Sequence, residues 1–377
     1  MKNTYGSAIA LTIFGESHGA AIGAVLDGLA AGIPVDEEFI AAQMEKRRAK
    51  KGGLSTSRIE ADKVRFLSGV YNGRTTGTAI TMVIENTNTR SGDYAKTLGL
   101  CRPGHADYTA HVKYGGFEDF RGGGHFSGRI TAALCAAGAL CQSILLAKGI
   151  RVATHAARIA GVEDEALALE EEKLNAQLAA LDACTGLPVL SETAGEAMQQ
   201  AIRAAASEGD SVGGVLETAV TGLPAGAGEP FFDSVESQLA HLLFSIPAVK
   251  GVEFGAGFAM AGLRGSVAND PMTIKDGRVV TTTNNNGGVN GGITNGMPLV
   301  VRTAVKPTPS IYKPQQTVDM GSMQPAELQI QGRHDPCIAH RAAIVQTAAV
   351  ALGLVDLLTQ RWGPLWQAEE EAPWNTD

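Results

Sequence analysis

Thr131-Ala-Ala-Leu-Cys-Ala-Ala-Gly-Ala-Leu-Cys-Gln-Ser-Ile-Leu-Leu-Ala147 is apolar around nearly its whole circumference. A helix of that composition has no face for water and belongs in an interior. Its alanines permit close approach of neighbouring elements. Gln142 and Ser143 interrupt the run, and it is too short to span a bilayer, which takes about 20 apolar residues. Directly before it stands Arg121-Gly122-Gly123-Gly124-His125-Phe126-Ser127-Gly128-Arg129. Glycines ahead of a helix start present free N–H groups and the positive end of a dipole, and Arg129 adds charge. Two readings stay open, a site for a phosphate-bearing ligand and a structural turn. The loop is neither a Walker loop nor a dinucleotide fingerprint, because no Gly-Lys-Ser/Thr follows and no buried parallel strand precedes it.

Outward from this helix, residues 36–48 predict a second one, with an acidic start at Asp36-Glu37-Glu38 and a basic end. Val64–Val70 and Thr78–Glu85 read as a strand pair around Asn72-Gly73. From about 155 to 207, Glu and Ala displace Gly, which suggests a peripheral helical excursion. Ser211–Leu223 is β-rich, and Asp233–Phe244 is helical. Met272–Lys275, Asp276-Gly277 and Arg278–Thr283 make the clearest hairpin signal, and Leu299–Val305 is a further strand. Ile344, Ala348, Ala351, Val355 and Leu358 recur at helical spacing. The spacing therefore predicts one α+β catalytic domain over residues 1–365, with an acidic, frayed tail over 366–377.

The 377 residues are 44% apolar, and the 46 glycines sit in a few dense loops, the pattern of ligand contact or tight backbone packing. A net charge of −8 argues against general nucleic-acid affinity. Against that background the run Lys46-Arg47-Arg48-Ala49-Lys50-Lys51 is sharply cationic, and Arg102, Arg121, Arg129, Arg333 and Arg341 flank glycine or histidine motifs. Local cationic pockets suit a small anionic substrate; a solvated helix face explains the lysine run equally well. The scattered cysteines contain no CxxC pair, which disfavours a disulfide framework or zinc site and fits a reducing cytoplasm. Ala8–Phe14 leads straight into Glu16-Ser17-His18, so a cleaved signal peptide would remove the chemistry.

Phe14-Gly-Glu-Ser-His-Gly19 and Gly332-Arg-His-Asp-Pro-Cys337 place ionisable groups between tight turns at opposite ends of the chain. Such clusters point to an active site assembled by the fold, with histidine as the acid or base. A Ser17–His18 nucleophile pair lacks the G-x-S-x-G elbow, which leaves a turn histidine as the other reading. His105 stands between Arg102 and Asp107, neighbours of opposite effect on its protonation. The Gly/Asn stretch 284–296, followed by Lys306-Pro307-Thr308-Pro309-Ser310, reads as a surface loop or as a cradle for a flat heterocycle such as a flavin.

FGESHG, RPGHADYT, RGGG…S.R.TA, GDSVGG, SIPAVKGVEFG, NNNGGVNGGITNG, KPTPSI and GRHDPC follow one another in an order that resembles the chorismate synthase family, from about Thr12 to Arg361. The resemblance implies a sandwich of antiparallel sheets around central helices, a homotetramer, and a cytoplasmic enzyme with no nucleic-acid or membrane partner. The implied reaction is the anti 1,4-elimination of phosphate from 5-enolpyruvylshikimate 3-phosphate to chorismate, dependent on reduced FMN, with NADPH only as a reductant for the flavin. By the same resemblance, His18 serves the departing phosphate, His105 the reduced flavin, and Ser17 with Asp335 forms a proton relay. Arg47, Arg48, Arg102, Arg129 and Arg341 correspond to substrate contacts, Arg47 also to a pyridine-nucleotide contact. His125, Phe126, Ser127, Pro247, Ala248, Gly291, Lys306, Pro307, Thr308, Pro309, Ser310 and Arg333 correspond to flavin contacts. Two departures stand out: His125-Phe126-Ser127 where many members have Arg-Ser-Ser, and Gly53 where a further arginine is common, with Lys50 or Lys51 as a substitute charge. A nucleotide-dependent flavin reductase and a flavin-storage protein are the competing readings.

Overall fold

The computed structural model describes residues 2–49, 54–55, 60–88, 99–330 and 334–375. Its helices are α1 (Glu37–Arg47), α2 (Asp107–Tyr114), α3 (Thr131–Ala147), α4 (Glu171–Ala183), α5 (Glu192–Ser207), α6 (Val235–Leu243), α7 (Gly265–Ala268) and α8 (Ala339–Trp362). One 5-stranded sheet runs Thr4–Tyr5, Ala10–Gly15, Ala21–Asp27, Ile80–Glu85, Arg65–Ser68 in spatial order. The second 5-stranded sheet runs Val162–Glu163, Arg151–Ile159, Gly214–Thr221, Leu299–Val305, Val249–Phe254. Neighbouring strands in both are antiparallel.

Helices α3 and α8 lie against each other between the sheets, α3 on the first and α8 on the second. This is the expected sandwich around central helices. Gly138 lets the two helices touch: a Cβ there would stand 2.4 Å from the Ala348 carbonyl oxygen. Gly128–Ala147 and Ala339–Trp362 are long and apolar enough to cross a membrane, yet 78% and 94% of their apolar windows are buried inside the fold. They are its core.

Local signals translate directly. Helix α3 has the predicted bounds, and Asp36 caps α1 by accepting from the Phe39 N–H at 2.8 Å. The hairpin Met272–Lys275/Arg278–Thr281 turns at Asp276-Gly277. Two expectations need correction. The excursion does not begin near 155, because Arg151–Ile159 is an interior strand of the second sheet. Nor is the tail frayed from 366: Trp366 is 1% exposed, and Gln367 bonds both the Ala30 N–H and the Thr359 hydroxyl at 2.8 Å. Trp374 packs its ring, tilted, against Trp362 and Trp366, so aromatic burial outweighs the acidic residues between them.

His155 explains how a strand can bury a titratable residue. Its Nδ1 lies 2.8 Å from Asp164 and its Nε2 3.1 Å from Glu217, so it joins two strands to the start of the excursion. Burial alone would lower its pKa, but bonds to Asp164 and Glu217 outweigh this and raise it. A raised folded-state pKa gives stability that is fully present below the unfolded value, about 6.5, and lost as pH rises through the folded value. His155→Gln will therefore cost most stability in mildly acidic buffer. The gap in denaturant midpoint between parent and variant should narrow from pH 5.5 to pH 9, and a constant gap would contradict the charged bridge.

Candidate active site

A cavity of about 890 Å³ is bounded by Leu11 and Ile13 of the strand Ala10–Gly15, the last turn of α1, the loop 102–109, the glycine loop 122–131, the end of α6 with the segment after it to residue 250, and the start of α8. Both ends of the chain meet here, since His18 and Asp335 are on its wall.

The glycine loop sets the geometry. Gly122, Gly123 and Gly124 all have positive φ, which glycine adopts without a Cβ penalty. A Cβ on Gly122 would lie 2.3 Å from His18 Cε1, and one on Gly123 would lie 2.9 Å from His105 Cε1. Adjacent residues of one loop thus seat the two histidines, and any side chain at either position would displace an imidazole. The Gly124 carbonyl accepts from the Ser17 N–H at 3.0 Å and ties the first motif to the loop. His125 Nδ1 donates to the Gly15 carbonyl at 2.8 Å, so its Nε2 is the nitrogen that can accept.

Facing these imidazoles is a cationic wall. Arg47 and Arg129 share the buried carboxylate of Asp62: Arg47 Nη2 donates to Oδ2 at 2.7 Å and Arg129 Nη1 donates to Oδ1. Burial pushes the Asp62 pKa up, but the two guanidiniums outweigh it and hold the carboxyl below its usual range. Arg129 also donates to Asn86 at 2.9 Å, and Arg48 Nε to the Glu60 carbonyl at 2.8 Å. Arg341 joins the chain ends, donating to the Arg47 carbonyl at 2.8 Å and to Asp335 at 3.0 Å. Three largely buried guanidiniums, Arg47, Arg129 and Arg341, bond two carboxylates, Asp62 and Asp335, and the buried Glu60 carboxylate also acts on Arg129, so the wall offers guanidinium forks matched to an oxyanion.

The remaining wall is less charged. Pro247, Ala248, Lys306, Thr308, Pro309 and Ser310 line it with Phe126 and Ser127. Ala248 has φ +76°, a strained value for a residue with a Cβ. Lys306 Nζ is held by the Gly104 carbonyl. Thr308 Oγ1 is buried with no hydrogen-bond partner among the described residues.

Not every expected residue is on the wall. Ser17 is fully buried, with a Cβ on Gly122 falling 3.0 Å from its hydroxyl, and so stands behind His18. Gly291 sits on the exposed turn between Val289–Asn290 and Ile293–Thr294, away from the cavity lining, and Pro307 is exposed. Arg333, Lys50, Lys51 and Gly53 lie outside the described residues. Sequence reasoning missed Asp62 and Glu60, which carry no motif, although buried arginines require a carboxylate nearby. It also assigned nothing to His334, which lines the cavity beside Tyr312 and is pushed down to about 4 by burial and then by Arg102.

The family model described as chorismate synthase matches residues 9–359. This chain belongs to the chorismate synthase family. A chorismate synthase of Thermococcus kodakarensis is 46% identical over 94% of this chain and 97% of its own length. One from Archaeoglobus fulgidus is 48% identical over the same shares, 94% and 97%. A solved structure, described as the crystal structure of chorismate synthase, has a TM-score of 0.74 at 28% identity, covering 95% of this chain and 93% of that one. Chorismate synthase membership implies a flavin cofactor.

Proposed function

We propose that this cavity binds reduced FMN together with 5-enolpyruvylshikimate 3-phosphate and forms chorismate by anti 1,4-elimination of phosphate. The carrying observation is the pairing of His18 and His105 against Gly122 and Gly123, opposite the arginine wall. The residues present suit a flavin and a phosphate ester together. A volume of about 890 Å³ lies near the top of the range for ligand pockets, roughly 300–1,000 Å³. Leu134, Ile246 and Val345 offer an apolar surface for a flat ring, and the orphaned Thr308 hydroxyl offers a polar contact.

When bound, the reduced flavin supplies electron density that eases loss of phosphate and provides the acceptor for the ring proton. The chain's own residues do the rest. Arg47, Arg48, Arg129 and Arg341 neutralise phosphate and carboxylates, for which guanidinium forks are matched. His18 donates a proton to the departing phosphate. His105 addresses the flavin, held by His125, Phe126, Ser127, Pro247, Ala248, Lys306, Thr308, Pro309, Ser310 and Arg333, and Ser17 with Asp335 moves the proton. Pro307 contributes to the same flavin-binding segment. NADPH enters only as a reductant for FMN. Gly291 reaches a ligand only where the assembled oligomer brings its turn to one.

The enzyme acts in the cytoplasm as a homotetramer, without nucleic-acid or membrane partners. Exposed Met272, Ile274 and Val279 on a lone hairpin support self-association, since an isolated two-stranded hairpin is marginal in water. Sedimentation at the 39.1 kDa monomer mass would overturn the tetramer. For the activity, anaerobic assay with photoreduced FMN and no nucleotide should release chorismate and inorganic phosphate in equal amounts. FMN binding without either product would overturn the lyase reading. Addition of NADPH to the oxidised, flavin-loaded enzyme tests the reductase reading directly.

A further inference from the structure

The carboxylate of Asp107, the first residue of α2, gathers the polar groups of two cavity residues, Arg102 and His105. Its Oδ2 accepts from the Arg102 backbone N–H at 2.9 Å and from Arg102 Nε at 2.8 Å. Its Oδ1 accepts from Arg102 Nη2 at 2.7 Å, and His105 Nδ1 lies 2.9 Å from the same oxygen. His105 Nδ1 is also 3.1 Å from Arg102 Nη2.

Donor and acceptor capacity decides the His105 tautomer. A guanidinium only donates and an ionised carboxylate only accepts. A bare Nδ1 could accept from Arg102, but its lone pair would then face the Oδ1 lone pairs at hydrogen-bond distance. A protonated Nδ1 donates to Oδ1, and Arg102 keeps its own bond to that oxygen. Only the second arrangement leaves no opposed lone pairs. We propose that Asp107 is a positioning residue that fixes His105 as the Nδ1–H tautomer, presents Nε2 to the cavity, and clamps the Arg102 fork with the same carboxylate.

Two observations support this. Burial pushes the Asp107 pKa up, but bonds from Arg102 and His105 outweigh it and hold the carboxyl well below its usual range, so it is an anion throughout the working range. A Cβ on Gly123 would lie 3.2 Å from His105 Nε2, so glycine keeps that nitrogen clear.

The inference rests on the reading of His105 as a group that acts on the reaction. Asp107→Asn keeps the shape but can offer Nδ1 either an amide oxygen or an amide N–H, so the tautomer is no longer dictated. We expect kcat to fall by roughly 100-fold or more, the scale of one acid–base group. In the His105→Ala background the same substitution should cost less than threefold in kcat. A KM increase should persist there, since it reports the Arg102 clamp. ¹⁵N shifts of labelled His105 should show one tautomer in the parent and a mixture in Asp107→Asn. Wild-type turnover in His105→Ala would sink the acid–base reading itself. A low His105→Ala rate, with the full Asp107→Asn loss multiplied onto it, would sink the positioning role alone, as would an unchanged ¹⁵N pattern.

Discussion

His18→Ala will keep FMN affinity within a few-fold of the parent while turnover drops by roughly 10²–10⁴, the contribution of a positioned proton donor. Gly122 holds φ +60° and leaves the space into which the His18 ring fits. The imidazole is 9% exposed and lies on the cavity wall with Arg129 and Asp335. Leaving phosphate needs charge compensation and a proton, and the arginines can supply only the first, because guanidinium keeps its protons. With His18 as the proposed proton donor, its loss removes the one function the cationic wall cannot replace. Single-turnover measurement with pre-reduced FMN separates this step from flavin reduction. A turnover loss confined to nucleotide-driven assays, or a parallel loss of FMN binding, would count against His18 as the donor. His18→Gln is the useful companion, since it retains size and polarity but cannot deliver a proton near neutral pH.

How much was legible depends on whether the signal was local. Helix α3 declares itself by composition, α1 by an aspartate before two glutamates, and the 272–281 hairpin by its turn dipeptide. Each of these carries its cause within a few residues. The strand Arg151–Ile159 does not, because His155 looks like a surface residue until Asp164 and Glu217 are placed beside it. The tail misled for a similar reason: Glu369–Glu371 are adjacent in sequence, whereas the three tryptophans that bury it meet only in space.

The site divides in the same way. His18, His105 and the glycine loop were readable because glycine next to an ionisable group is a pattern within one segment. Their meeting was readable only through the resemblance, since no local rule sets Gly122 against one histidine and Gly123 against the other. Asp62 was invisible by either route. It lies between two motifs, belongs to none, and becomes conspicuous only when Arg47 and Arg129 are both found buried around it.

That position makes Asp62 the residue whose loss should cost the fold most. Asp62→Ala leaves two guanidiniums facing each other, at 4% and 7% exposure, with their shared counter-charge gone. Breaking a buried ion pair from one side costs about 3–5 kcal/mol, because the remaining charge is desolvated and uncompensated. Asp62→Asn should cost less, since the amide oxygen can still accept one bond. The Asp62 pKa is held below its usual value, so by linkage its stabilising contribution is present above the unfolded carboxylate pKa, about 3.9, and lost as pH falls through the folded value. The difference in unfolding free energy between parent and Asp62→Ala should therefore be flat from pH 6 to 8 and shrink only in strong acid. Inorganic phosphate should restore part of the loss, because an anion that binds the folded state takes over the missing charge. A variant within about 1 kcal/mol of the parent in phosphate-free buffer, the scale of an exposed pair, would show that the cluster is hydrated rather than buried. It would also remove the reason for expecting an oxyanion to be drawn to Arg47 and Arg129.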